Sequence, residues 1–92
     1  MTSESDTRSR EPAVLTLRER GARRTHWLHD RPVHGGDPIQ LCFSGGWVTG
    51  RYEWPGGDAT PRFHFSIELA GGRVWEGCFE LPDGALLRWP DR

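Results

Sequence analysis

From position 39 to 54 apolar and polar residues alternate on both sides of a glycine pair, Gly45-Gly46, and from 63 to 81 they do so around Ala70-Gly71-Gly72. A period of two marks strands with one buried face, and paired glycines supply the positive φ angles that tight hairpin turns need. The chain therefore reads as two antiparallel hairpins, and the alternation can set their register. In the first, a two-residue Gly45-Gly46 turn pairs Ser44 with Trp47. Outward from it come Phe43 with Val48, Cys42 with Thr49, Leu41 with Gly50, Gln40 with Arg51 and Ile39 with Tyr52. One face then carries Ile39, Leu41, Phe43, Val48, Tyr52 and Trp54, the expected core. The other carries Gln40, Cys42, Trp47, Thr49, Arg51 and Glu53.

In the second hairpin a two-residue Gly71-Gly72 turn would oppose Ile67 to Glu76 and His64 to Phe79, mixing charge and aromatic on one face. A three-residue Ala70-Gly71-Gly72 loop, with Gly72 left-handed, instead opposes Leu69 to Arg73, Ile67 to Trp75, Phe65 to Gly77 and Phe63 to Phe79. That register gives a coherent apolar face, and it sets Arg62 against Glu80 and His64 against Cys78 on the other. Only Leu69 with Arg73, at the loop mouth, matches poorly. Gly50 and Gly77 fall on inward faces, where a missing side chain costs stability unless strands coil sharply or large aromatics cross.

Outside the hairpins, Met1 to about Glu11 is Ser, Thr and charge without apolar period and reads as a solvated, disordered tail. Residues 12 to 24 suit a short strand or loose arm, since Leu15 and Leu17 alternate with polar neighbours and Gly21 interrupts any helix. His29-Asp30-Arg31-Pro32 and Gly35-Gly36-Asp37-Pro38 are turns. The segment 54 to 61 is a long loop, Leu81-Pro82-Asp83-Gly84 is a turn, and Ala85 to Trp89 make a short closing strand ended by Pro90. The expected organisation is a flexible arm over 1–25 and one all-β domain over 26–92.

Ninety-two residues make one domain near the lower limit for a self-sufficient core, so the five tryptophans and four phenylalanines must do much of the burying. The two cysteines, Cys42 and Cys78, sit on outer faces and make no disulfide framework. No apolar run approaches a membrane span and no secretory segment is visible, so a reduced, cytoplasmic protein is expected. All twelve basic residues are arginine, with no lysine, no asparagine and one glutamine, a bias that suggests a GC-rich bacterial source. Charge divides unevenly: residues 1–25 hold six Arg against four acids, whereas 26–92 hold six Arg against nine.

The order of turn, Gly45-Gly46 hairpin, long loop, three-residue hairpin, Pro82-Asp83-Gly84 turn and short last strand resembles an SH3-like barrel of about five to six strands over residues 26 to 90. More narrowly, Trp27-Leu28, Arg31-Pro32-Val33-His34-Gly35-Gly36-Asp37, Gly46-Trp47-Val48-Thr49-Gly50-Arg51-Tyr52-Glu53-Trp54 and Leu86-Leu87-Arg88-Trp89-Pro90 resemble short bacterial proteins without assigned activity. That resemblance implies a small barrel and a bacterial source, such as a plasmid or phage, and implies no site residues. Plasmid-type dihydrofolate reductase shares this barrel, but its Val-Gln-Ile-Tyr strand is absent; the matching strand reads Val74-Trp75-Glu76-Gly77-Cys78-Phe79.

No catalytic set, metal site or cofactor is assigned. His26, His29, His34 and His64 with Cys42 and Cys78 contain no zinc-type spacing, and only His64 and Cys78 are expected neighbours. A Cys/His nucleophile would also need an orienting carboxylate and an oxyanion hole, and nothing marks either. Binding is what remains. The expected protein-binding residues are Trp47, Arg51, Glu53, Asp58 and Trp89, as an aromatic groove with acids for a ligand arginine; in the competing arrangement Trp47 and Trp89 cap the open ends of the barrel or pack under the N-terminal arm. The alternative partner is nucleic acid, led by Arg18, Arg20, Arg23 and Arg24 with Trp27 as a stacking residue, although an acidic body with pI near 6.4 limits the footprint. The expected function is a non-enzymatic interaction module.

Overall fold

The computed structural model describes residues 10–90, so most of the expected polar tail lies outside the described residues. The described chain is all-β, with eight strands: β1 (Thr16–Arg20), β2 (Arg23–Leu28), β3 (Arg31–Val33), β4 (Pro38–Phe43), β5 (Gly46–Glu53), β6 (Arg62–Glu68), β7 (Val74–Glu80) and β8 (Leu87–Arg88). They form two antiparallel sheets, a three-stranded one ordered β1-β2-β3 and a five-stranded one ordered β7-β6-β5-β4-β8. Neither sheet closes on itself.

The second hairpin has the register that its apolar alternation requires. Phe63 pairs with Phe79, Phe65 with Gly77, Ile67 with Trp75, Arg62 with Glu80 and His64 with Cys78. Ala70–Gly72 is a three-residue loop in which Gly71 and Gly72 both take positive φ, and the Leu69 N–H closes it by donating to the Arg73 carbonyl at 2.7 Å.

The first hairpin differs from the expected pairing by two residues. Phe43 pairs with Gly46, Leu41 with Val48, Ile39 with Gly50 and Pro38 with Arg51. The turn is Ser44-Gly45, with φ of 52° and 79°, and Gly46 is already the first residue of β5. Two successive positive φ values are those of a type I′ turn, whose twist suits a hairpin. A serine side chain disfavours the left-handed region, so the glycine pair points to the other register. A shift of two moves every partner while leaving every side chain on its own face, so the expected core face survives.

Residues 12–24, ambiguous in sequence, enter the ladder. Thr16 to Arg20 pair with Trp27 to Arg23, so β2 runs across the expected boundary between 25 and 26. The turn between β2 and β3 is only His29-Asp30, with His29 at φ 59°; Arg31 and Pro32, expected in the turn, belong to β3. Ala13 exchanges two 2.8 Å hydrogen bonds with Leu87 and thereby covers the outer side of β8.

Between the sheets lies one core: Leu28, Val33, Ile39, Leu41, Tyr52, Phe63, Leu81, Leu87 and Trp89. Gly50 is tightly packed within it, since a Cβ there would stand 2.5 Å from the Phe63 ring. That contact, together with the collision the same Cβ would make with the His64 backbone carbonyl, explains the inward glycine, which leaves room for the neighbouring strand and its aromatic ring.

Candidate interaction surface

Side chains on the inner face of the five-stranded sheet divide into two zones. Ile39, Leu41, Tyr52 and Phe63 lie beneath β2, β3 and the C-terminal segment, and each is at most 4% exposed. Beyond them, the same face continues through Phe43, Val48, Phe65, Ile67, Trp75 and Phe79 with no described element above it. Phe43 is 62% exposed, Trp75 56%, Ile67 43% and Phe79 38%. Their rings form a continuous series outward from the core: Phe63 to Phe79 at 5.7 Å, Phe79 to Phe65 at 5.8 Å, and Phe65 edge-on to Trp75 at 5.9 Å between centroids. Gly77 seats this series, because a Cβ there would be 2.5 Å from Phe65 Cζ. Together they line an apolar groove of about 660 Å³ that reaches from Leu41 to Pro82 and Ala85.

Alternation assigned these residues to the core, and it assigned their face correctly. What it could not supply is the number of elements available to cover that face. The second hairpin ends in β7, and among the described residues the one sheet stacked against the inner face covers the opposite half. A readable signal did exist: Trp75 and Phe79 lie on the last strand of a meander, with no later long strand left to pack on them.

The expected protein-binding residues are scattered. Trp89 must be corrected: it is 4% exposed, and its indole N–H donates to the Leu28 carbonyl at 3.0 Å, so it is a core residue holding the C-terminal segment on β2. Trp47 is half-buried on the outer face beneath the Arg88 guanidinium, 4.1 Å from the ring centroid. Arg88 is itself fixed by a 2.6 Å hydrogen bond from Nε to Gln40 Oε1. Arg51 donates to the Gly36 carbonyl at 3.0 Å, Glu53 is exposed beyond it, and Asp58 lies 3.8 Å from Arg24. These five residues do not converge on one groove.

The arginines expected to meet nucleic acid divide by face. Pairing of β1 with β2 puts Arg18, Arg20, Arg23 and Trp27 on the outer side, where the Arg18 guanidinium stacks on Trp27 at 4.3 Å. Arg24 is on the opposite side, held by Glu19 at 3.3 Å and by the Gly57 carbonyl at 3.3 Å. Of the histidines, His64 reaches Cys78 at 3.5 Å, as their pairing required. Among the described residues no three His, Cys, Asp or Glu side chains gather where they could hold a metal ion. Also among the described residues, no helix is long and apolar enough to cross a membrane.

One polar pair at the sheet interface was missed in the sequence. His26 Nδ1 and the Tyr52 hydroxyl are 2.7 Å apart, and the His26 ring packs edge-on against Trp54 at 4.4 Å. Burial lowers the His26 pKa from 6.5 and raises that of Tyr52, so both groups are held neutral. Both being neutral, they share one hydrogen bond whose direction is set by the His26 tautomer.

Comparison of the chain with family models, with curated proteins and with solved structures finds no match in any of the three. The functional reading accordingly rests on the geometry of this chain.

Proposed function

We propose that the protein is a non-enzymatic interaction module, an open variant of the SH3-like small barrel from a bacterial cytoplasm, that binds protein through its exposed aromatics. The surface is the uncovered inner face carrying Phe43, Phe65, Ile67, Trp75 and Phe79, in place of the dispersed set around Trp47. The observation that carries it is the exposed aromatic area. At 150–250 Å² per ring, Phe43, Trp75 and Phe79 leave on the order of 300 Å² of apolar surface in one groove, the size at which a monomer's patch is commonly functional. An apolar groove of this kind suits an extended segment with alternating apolar side chains.

The test is fluorescence anisotropy with labelled extended peptides of alternating apolar and polar residues. Binding is expected to weaken by about tenfold or more in Trp75→Ser and in Phe79→Ser, and to be unchanged in Trp47→Ala. Binding that ignores Trp75→Ser and Phe79→Ser, or no binding at all, overturns the proposal.

A second reading, binding of nucleic acid, is favoured by one observation: Arg18, Arg20, Arg23 and Trp27 share the outer face of the β1-β2 hairpin. Against it, the whole chain has a formal charge of −1, and Arg24 is engaged by acids. Gel shifts with mixed DNA and RNA at low and high salt distinguish the two. Tight, salt-sensitive binding lost on joint Arg18→Ala, Arg20→Ala and Arg23→Ala substitution would replace the protein-binding reading.

A further inference from the structure

The sheet edges differ sharply in how they are guarded. β8 has two residues and is covered by Ala13; β3 has three and contains Pro32; β1 carries Arg18, Glu19 and Arg20 among its five. β7 is seven residues long, contains no proline, has an unbroken ladder with β6 and so no bulge, and bears no charge on its inner face. Long, unbulged edges without inward charge are the ones that pair with another chain.

Among the described residues β7 has no partner on its outer side, and the backbone groups it directs there can be assigned. Leu69 N–H donates to the Arg73 carbonyl and Leu81 N–H to the Pro61 carbonyl, so the odd-numbered residues of β7 direct their backbone groups at β6. Val74, Glu76, Cys78 and Glu80 consequently direct theirs outward. On the side chains, Trp75, Gly77 and Phe79 face the apolar groove, and Glu76, Cys78 and Glu80 face the opposite side.

We infer that the partner is a second copy of this chain, joined through antiparallel pairing of the two β7 strands about a two-fold axis at Gly77. This rests on the reading of the inner face as a protein-binding surface. The register follows from charge. Centring on Gly77 sets Trp75 opposite Phe79 of the second copy, Glu76 opposite Cys78 and Val74 opposite Glu80, with no like charges opposed. Sliding to either neighbouring register that keeps the apolar faces together opposes Glu76 to Glu76, or Glu76 to Glu80, which is destabilising.

The outward-pointing groups also agree with this centre. Glu76 and Cys78 become the hydrogen-bonded pair, while Trp75 and Phe79 fall at the closer, non-hydrogen-bonded position where side chains touch most. Both copies present the groove on the same side, so the two aromatic series adjoin across the axis as one continuous apolar face. A formal charge of −1 per chain opposes association little.

Sedimentation velocity from about 1 to several hundred μM tests the pairing, with wild type expected to pass from monomer to dimer. Cys78→Pro removes an N–H that points away from β6 and an exposed thiol contact with His64 but no ladder bond to β6, so the fold is kept while the dimer constant weakens by about tenfold or more. In a Cys42→Ser background, Glu76→Cys gives a disulfide-linked dimer through Cys78 on mild oxidation, because hydrogen-bonded pairs place Cα atoms about 5.5 Å apart, within disulfide range. The same background without Glu76→Cys does not crosslink. A protein monomeric at every concentration, a dimer indifferent to Cys78→Pro, or efficient Cys78 to Cys78 crosslinking overturns the proposal. If the monomer still binds peptide in a Trp75-dependent way, only the self-pairing is lost; if that binding is absent too, the protein-binding reading falls with it.

Discussion

A single methyl group decides whether Gly50 and Gly77 can hold their aromatic neighbours. Each would place a Cβ 2.5 Å from a ring atom, of Phe63 and Phe65 respectively, and a well-packed core answers such an insertion by distortion. Gly50→Ala should therefore cost about 1–3 kcal/mol, read as a lower urea midpoint. Gly77→Ala should cost less, because Phe65 borders the open groove and has room to tilt. Trp89→Ala is expected to cost about 3–5 kcal/mol, the penalty of a core cavity, and to leave peptide binding in the groove intact if folded. At His26 the sign of the pH effect is fixed. The folded pKa is depressed below 6.5, so beneath that pH the unfolded chain takes up a proton that the folded chain refuses. Stability from this residue is complete above about pH 6.5 and falls as pH drops through the folded value. Thermal melts should show that loss in wild type, and His26→Gln should remove it from the difference curve.

At the scale of elements, turn chemistry and alternation divided the work. Alternation put Ile39, Leu41, Tyr52 and Phe63 on the inner face and fixed the whole β6-β7 register, because Arg62 with Glu80 and Ile67 with Trp75 have no good competitor. It could not separate the two β4-β5 registers that differ by two residues. Ser44 decided between them by adopting φ 52°. The turn makes its own prediction: Gly45→Ala forces a methyl group into the left-handed region at about 1–2 kcal/mol, whereas Gly46→Ala, whose Cβ would meet only the Phe43 carbonyl at 3.9 Å, should be nearly neutral. Chemical denaturation of the two variants checks this order, and the register expected from sequence requires both to be costly. The β1-β2 hairpin was the least legible element. Its strand pattern is interrupted by charge, and Arg20 faces Arg23, a like pair that local reasoning would avoid.

For the whole molecule, the decisive quantity is how much of one sheet face another layer covers. Alternation along the chain determined that the protein is all-β, which residues face inward, and that large aromatics and inward glycines belong together. Those are properties of neighbours two residues apart or directly paired, and short-range sterics and hydrophobicity enforce them. Only the tertiary structure decided that Trp89 is buried, that Trp47, Trp27 and Trp89 each carry an arginine of the same chain, and that Trp75 and Phe79 are left in the open. Those outcomes depend on where the three-stranded sheet settles, through contacts such as Trp89 to Leu28 and His26 to Tyr52 that span 61 and 26 residues. Hydrophobicity says that a side chain seeks cover; long-range packing determines whether its own chain provides it.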